Sequence, residues 1–217
     1  MTRTYTLKKR AESQAETRRR IVEAAVDLHG TVGPAATTFS MVAERAGVQR
    51  HTLYAHFPDE RSLLLACSGF EQERDPPPDA EPWRGIEDQP ARLRVGLGAI
   101  YGWYERNAEL LSCVLRDVEY YPPVREISEL RYGPVMAGWV KVLGARLTLE
   151  QQAVLRLAFS FFTWRTLVRD AGLNRGAAIG LMARAIESAG KPDAPPRRRT
   201  PKPTRFSAAR GPSNPSS

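Results

Sequence analysis

The sequence predicts an all-α protein built from two helical units. Three observations carry this. Apolar residues recur at helical spacing in each long stretch between Gly and Pro breaks. The run from Thr38 to Phe57 reads as two short helices around a single glycine, and the run from Asp75 to Pro82 carries four prolines that no helix interior tolerates.

Residues 1–12 mix Arg3, Lys8, Lys9 and Arg10 with Thr and Tyr and show no apolar period, which predicts a flexible basic arm. A first unit is expected over 13–74. Its first helix starts near Ser13, places Ile21, Ala25, Leu28 and Val32 on one stripe, and ends at Gly30, Gly33 and Pro34. Thr38 is a suitable N-cap for a second helix whose Phe39, Val42, Ala43 and Ala46 form one apolar face. Gly47 stops that helix, because glycine enters the left-handed cap conformation without a steric cost. Val48, Leu53 and Phe57 then form the inner face of a third helix, leaving Gln49, Arg50, His51, Thr52, Tyr54 and His56 largely outward.

Two short helices around a tight turn are the geometry that sets a second helix into the DNA major groove. Arg grips a guanine edge, Gln an adenine edge, and the Thr methyl packs on thymine. Periodicity alone leaves a helical hairpin with a solvated polar face as an equal alternative. The residues themselves carry more. Ala43-Glu44-Arg45-Ala46-Gly47-Val48, Thr52-Leu53-Tyr54, His56-Phe57-Pro58-Asp59 and Leu63-Leu64 resemble the DNA-binding signature of the tetracycline-repressor (TetR/AcrR) family of bacterial transcriptional regulators. The resemblance runs from near Thr17 to near Phe70; beyond it, only length and helical character agree.

The expected DNA-contacting set is Thr38, Gln49, Arg50, His51, Thr52, Tyr54, His56 and Arg61. Asp59 caps a fourth helix carrying Leu63, Leu64, Ala66 and Phe70. In the resembling family a Lys aimed at a phosphate follows this cap. Here Glu60 stands in its place, so either Arg61 supplies the contact or the clamp is weaker.

Residues 75–90 read as a Pro-rich linker and 91–190 as a second helical unit. Leu93, Leu97, Ile100 and Tyr104 stripe its first helix. Asn107 is placed to cap the next, with Leu110, Leu111, Val114 and Val118; a further helix runs from Val124 to Leu147 and is expected to kink at Gly133-Pro134. Thr148 and Gln151 have capping-box spacing and open a helix through Leu155, Ala158, Phe159, Phe162 and Thr166. Asn174 caps the last helix, rich in small residues. The resemblance implies that the last two helices pair with their copies in a homodimer, presenting two recognition helices to a palindromic operator about 34 Å apart. It also implies a pocket for a small apolar or aromatic effector, for which Tyr101, Trp103, Tyr104, Phe162 and Trp164 are the candidates.

Composition agrees with a globular chain, 42% hydrophobic and 26% charged, with no apolar run of membrane length and no signal core, so the cytoplasm is expected. The net charge of +8 is concentrated at the ends: residues 1–20 hold seven Lys/Arg against two Glu, and residues 191–217 hold seven against one Asp. The latter read as a disordered basic tail, whose charge serves either DNA or solubility. Cys67 and Cys113 are too few for a disulfide framework or a zinc site. No catalytic or phosphate-cradling motif is present, so no enzyme and no cofactor are expected; His51 and His56 diverge on a helix and do not suit a metal. Two alternatives stay open. One is a ligand-independent architectural DNA binder; the other is a helical enzyme or protein-interaction module.

Overall fold

The computed structural model describes the backbone of residues 2–190 and the side chains of residues 8–190. The expected tail, 191–217, lies outside the described residues. Among the described residues there are ten α-helices and no strand. None of their helices is long and apolar enough to cross a membrane.

Helix α1 (Thr2–Thr31) begins well before Ser13, so the residues expected to form an arm are its first turns. Lys8, Lys9, Ala11 and Glu12 are strong helix formers, Lys8 lies 4.0 Å from Glu12 one turn on, and neither Gly nor Pro interrupts them. A 3-10 turn (Pro34–Ala36) leads to α2 (Phe39–Ala46) and α3 (Arg50–His56), followed by α4 (Glu60–Arg74). Gly33 makes that first turn with φ 99°, a conformation open to glycine alone. Ile21, Ala25, Val42, Leu53, Phe57, Leu63 and Cys67 bury together and join the four helices in one small core.

The second unit contains α5 (Gln89–Arg106), α6 (Ala108–Val118), α7 (Pro122–Leu143), α8 (Leu149–Ala158), α9 (Phe161–Arg165) and α10 (Arg175–Ala189). Leu97, Ile100, Tyr101, Trp139, Leu143, Leu155, Trp164 and Ile186 form its centre. Residues 75–90 are more than a tether. Trp83 is buried in this core, Trp139 Nε1 donates to the Pro78 carbonyl at 2.8 Å, and Trp103 Nε1 donates to the Asp75 carbonyl at 3.0 Å. Asn107 does not cap α6 with its side chain; its amide donates instead to Asp75 at 2.7 Å and to the Trp103 carbonyl at 3.0 Å.

Helix α7 runs without interruption through Pro134 and ends at Leu143, four residues short of the expected Leu147. One expectation about helix continuity is corrected. The helix opened by the Thr148/Gln151 capping box, which is fully formed, stops at Ala158 and restarts at Phe161. Buried hydroxyls hold that break: Tyr101 donates to the Ala158 carbonyl at 3.1 Å and Tyr104 to the Phe159 carbonyl at 2.6 Å. They satisfy backbone acceptors that would otherwise be buried without a partner. A single π-helical turn (Thr166–Asp170) follows α9.

Candidate nucleic-acid interface

The helix-turn-helix is set by three local devices. The Thr38 hydroxyl accepts from Met41 N at 3.2 Å, capping α2. Gly47, at φ 63° and ψ 40°, ends it in the left-handed conformation, and Val48 N donates back to the Ala43 carbonyl at 3.0 Å. Gln49 then takes the N-cap position of α3 with extended backbone and no capping bond from its side chain, which stays available to a partner.

Leu53 and Phe57 are fully buried beneath α3. On its other face Gln49, Arg50, His51 and Tyr54 are exposed, while Thr52 and His56 are half-buried. Tyr54 leans on Phe39 with ring centroids 5.1 Å apart, which fixes one edge of this polar surface against α2. Arg18 of α1 lies over the Phe57 ring at 4.6 Å, and Arg45 pairs with Asp27, so α1 clamps both short helices from behind. Six of the eight expected contact residues, Gln49, Arg50, His51, Thr52, Tyr54 and His56, thus lie on α3 or at its N-cap; Thr38 spends its hydroxyl on the α2 cap. Arg61 is drawn elsewhere. Its Nε donates to Glu126 of α7 at 2.8 Å, and next to it Tyr121 donates to both oxygens of Glu60 at 2.8 and 2.9 Å. The α4 N-terminus is therefore tied to the second unit. Among the described residues no group of three His, Cys, Asp or Glu side chains is placed to hold a metal ion.

Behind this face, between α1, α4, α6 and α7, lies a cavity of about 480 Å³ with an almost entirely apolar wall. Trp103, Tyr104 and Phe162 line it as expected; Tyr101 and Trp164 are buried and do not. The first unit contributes part of the wall, through Val26 and His29 of α1 and Leu64, Cys67 and Glu71 of α4. Sequence reasoning missed His29 and Glu71. Their signal was their register: His29 is one turn past Ala25 on the α1 stripe, and Glu71 one turn past Cys67 on that of α4. Burial pushes the Cys67 thiol up to about 12, which makes it an inert packing group. A third missed residue is Asp117 of α6, fully buried, which accepts from Ala35 N at 2.9 Å, Arg116 Nε at 2.8 Å and the Tyr120 hydroxyl at 2.7 Å. Burial works to raise its carboxyl, but these three donors outweigh burial and hold it below the ordinary range. It pins α6 to the turn that follows α1.

Residues 21–67 match the model of the bacterial regulatory proteins of the tetR family. The N-terminal unit is a tetR-family domain. A 64-residue stretch, 30% of this chain, is 41% identical to the HTH-type transcriptional repressor KstR of Mycolicibacterium smegmatis, and it spans about a third, 31%, of that protein's own length. Similar folds recur among solved structures. A TetR-like transcriptional regulator from Rhodococcus sp. RHA1 aligns with 81% of this chain and 97% of its own at TM-score 0.59 and 18% identity. The fatty acid degradation regulator FadR from Bacillus halodurans aligns with 80% of this chain and 95% of its own at TM-score 0.54 and 15% identity. At these identities the likeness is one of fold. It covers the helices that follow the N-terminal domain as well as that domain.

Proposed function

We propose that the chain is a sequence-specific DNA-binding transcriptional regulator, acting as a homodimeric repressor that a small apolar molecule releases from a palindromic operator. The observation that carries this reading is the polar face of α3, with Gln49, Arg50, His51 and Tyr54 exposed on a tetR-family domain while Leu53 and Phe57 anchor it from beneath. The repressor KstR supports repression as the output. The cavity favours a ligand-responsive protein over an architectural binder, because a concave, mostly apolar volume of about 480 Å³ has the size and lining of a small-molecule site. Since the cavity wall is shared between α4 and α6, and Asp117 ties α6 to the α1–α2 turn, a ligand that favours one arrangement of these helices shifts the DNA-binding equilibrium by its differential affinity.

Arg50→Ala tests the readout. Against a palindromic duplex selected from a random library, affinity should fall by roughly 5- to 150-fold, the value of one bidentate base contact. Random duplex should bind nearly as before at both 50 and 200 mM salt. Equal losses on both duplexes would make Arg50 a backbone contact.

Exposed apolar side chains support dimerisation through the last helices. Leu149, Ala153 and Leu157 stand one turn apart on α8, with Leu149 80% and Leu157 56% exposed, and Leu181 on the adjoining α10 is 40% exposed. In sedimentation velocity the double variant Leu157→Glu/Leu181→Glu should run as a monomer with unchanged far-UV circular dichroism. Its palindrome affinity should drop at least tenfold, since each half-site then binds alone. A variant that stays dimeric would place the interface elsewhere.

A further inference from the structure

We infer that the cavity selects an apolar molecule carrying one hydrogen-bond donor, a hydroxyl or an ammonium group, and that Glu71 of α4 receives it. This rests on the reading of the cavity as an effector site and adds the polarity of the effector. Glu71 is 8% exposed and lines the cavity. One of its oxygens, Oε2, accepts from Arg74 Nη2 at 2.6 Å, and Arg74 is half exposed at the protein surface. The other, Oε1, is buried with no hydrogen-bond partner among the described residues.

A carboxylate oxygen in that state costs stability, because desolvation is not offset by a bond. Burial raises the Glu71 carboxyl above its ordinary range, with Arg74 opposing that shift and Asp75 adding to it. The Arg74 pairing keeps an anionic acceptor within a mostly apolar wall, whose other titratable side chains are His29, Glu129, Tyr104, Tyr132, Cys67 and Arg156, and where Trp103 and Tyr132, 6.0 Å apart, supply aromatic surface close by. Tyr132 is itself raised by burial and by the charge of Glu71, which places the two groups in each other's field. A ligand donor would give Oε1 the hydrogen bond it lacks. An anionic group at the same place would meet like charge in a medium that screens it poorly.

The test uses the full chain without DNA and follows the fluorescence of Trp103 and Trp139, both in the cavity wall. Its probes share one alkyl chain: 1-octanol, octylammonium, methyl octyl ether and octanoate. The alcohol and the ammonium should bind at least about tenfold tighter than the ether, the usual value of a hydrogen bond to a charged group. Octanoate should be weakest. In Glu71→Met the alcohol and ether should bind alike, whereas Glu71→Gln, which keeps an acceptor, should retain the preference for alcohol and lose that for ammonium. Equal binding of alcohol and ether to the unmodified protein, an octanoate tighter than the ether, or an unchanged ratio in Glu71→Met would overturn the assignment to Glu71 while leaving the cavity as a site. Absence of binding by all four probes would overturn the effector site itself.

Discussion

Phe57→Ala should lower the unfolding free energy of the N-terminal domain by about 3 to 5 kcal/mol and abolish operator binding. Phe57 is fully buried, the one aromatic ring wholly inside a cluster otherwise made of Ile, Val, Leu, Ala and Cys. It also terminates α3, its amide donating to the Leu53 carbonyl at 2.8 Å, and it carries Arg18 over its ring. Truncation leaves a cavity that helices of 8 and 7 residues, α2 and α3, have little means to fill. Isolated helices below roughly 12 to 15 residues are marginal in water, so these two exist through packing, and a loosened α3 no longer presents Gln49 to Tyr54 at one angle. Urea denaturation and a palindrome titration check both halves. Phe57→Leu, which keeps most of the volume, should cost about 1 kcal/mol and retain binding. If Phe57→Ala unfolded at the same urea concentration as the unmodified chain, the packing account of α3 would be wrong.

The same contrast between local and distant causes separates what the sequence made legible from what it hid. Thr38, Gly47, Asp59, Thr148 with Gln151, and Asn174 end or begin helices as their positions suggest, because a cap is decided within four residues. The break at Ser160 has no such mark. Neither Gly nor Pro stands there, and what stabilises it is a pair of tyrosine hydroxyls from α5, more than fifty positions away in the chain. Asn107 looked like a cap and is spent on Asp75, a partner visible only once α4 and α5 are brought together. The polar face of α3 could be read from alternation of buried and exposed residues. The cavity could not, since its wall draws on α1 and α4 as well as on α5, α6 and α7, and their stripes read as ordinary core. The residues that betray it, His29 and Glu71, are polar groups set where a core register calls for apolar ones.

His29 supplies the second large effect. It is 5% exposed, and burial pushes its imidazole down to about 4 from an ordinary value of 6.5, with the charge of Asp117 pulling weakly the other way. A histidine kept neutral in the fold binds fewer protons than the unfolded chain between pH 6.5 and 4, so stability falls as pH drops through that window and levels off below it. At about 1.4 kcal/mol per unit, the 2.5 units between the two values amount to roughly 3 kcal/mol. His29→Leu should remove this contribution and leave that of the carboxylates, which begin to titrate at the lower end of the same range. Urea unfolding at pH 7, 6, 5 and 4 should therefore show the unmodified protein losing about 3 kcal/mol more than the variant, most of it between pH 6 and 4.5. Because His29 lines the cavity wall on α1, a neutral apolar ligand packed against it should lower the imidazole further and extend the dependence to lower pH. Parallel curves for the two proteins would mean that the imidazole is solvated in the fold, and with it that side of the cavity.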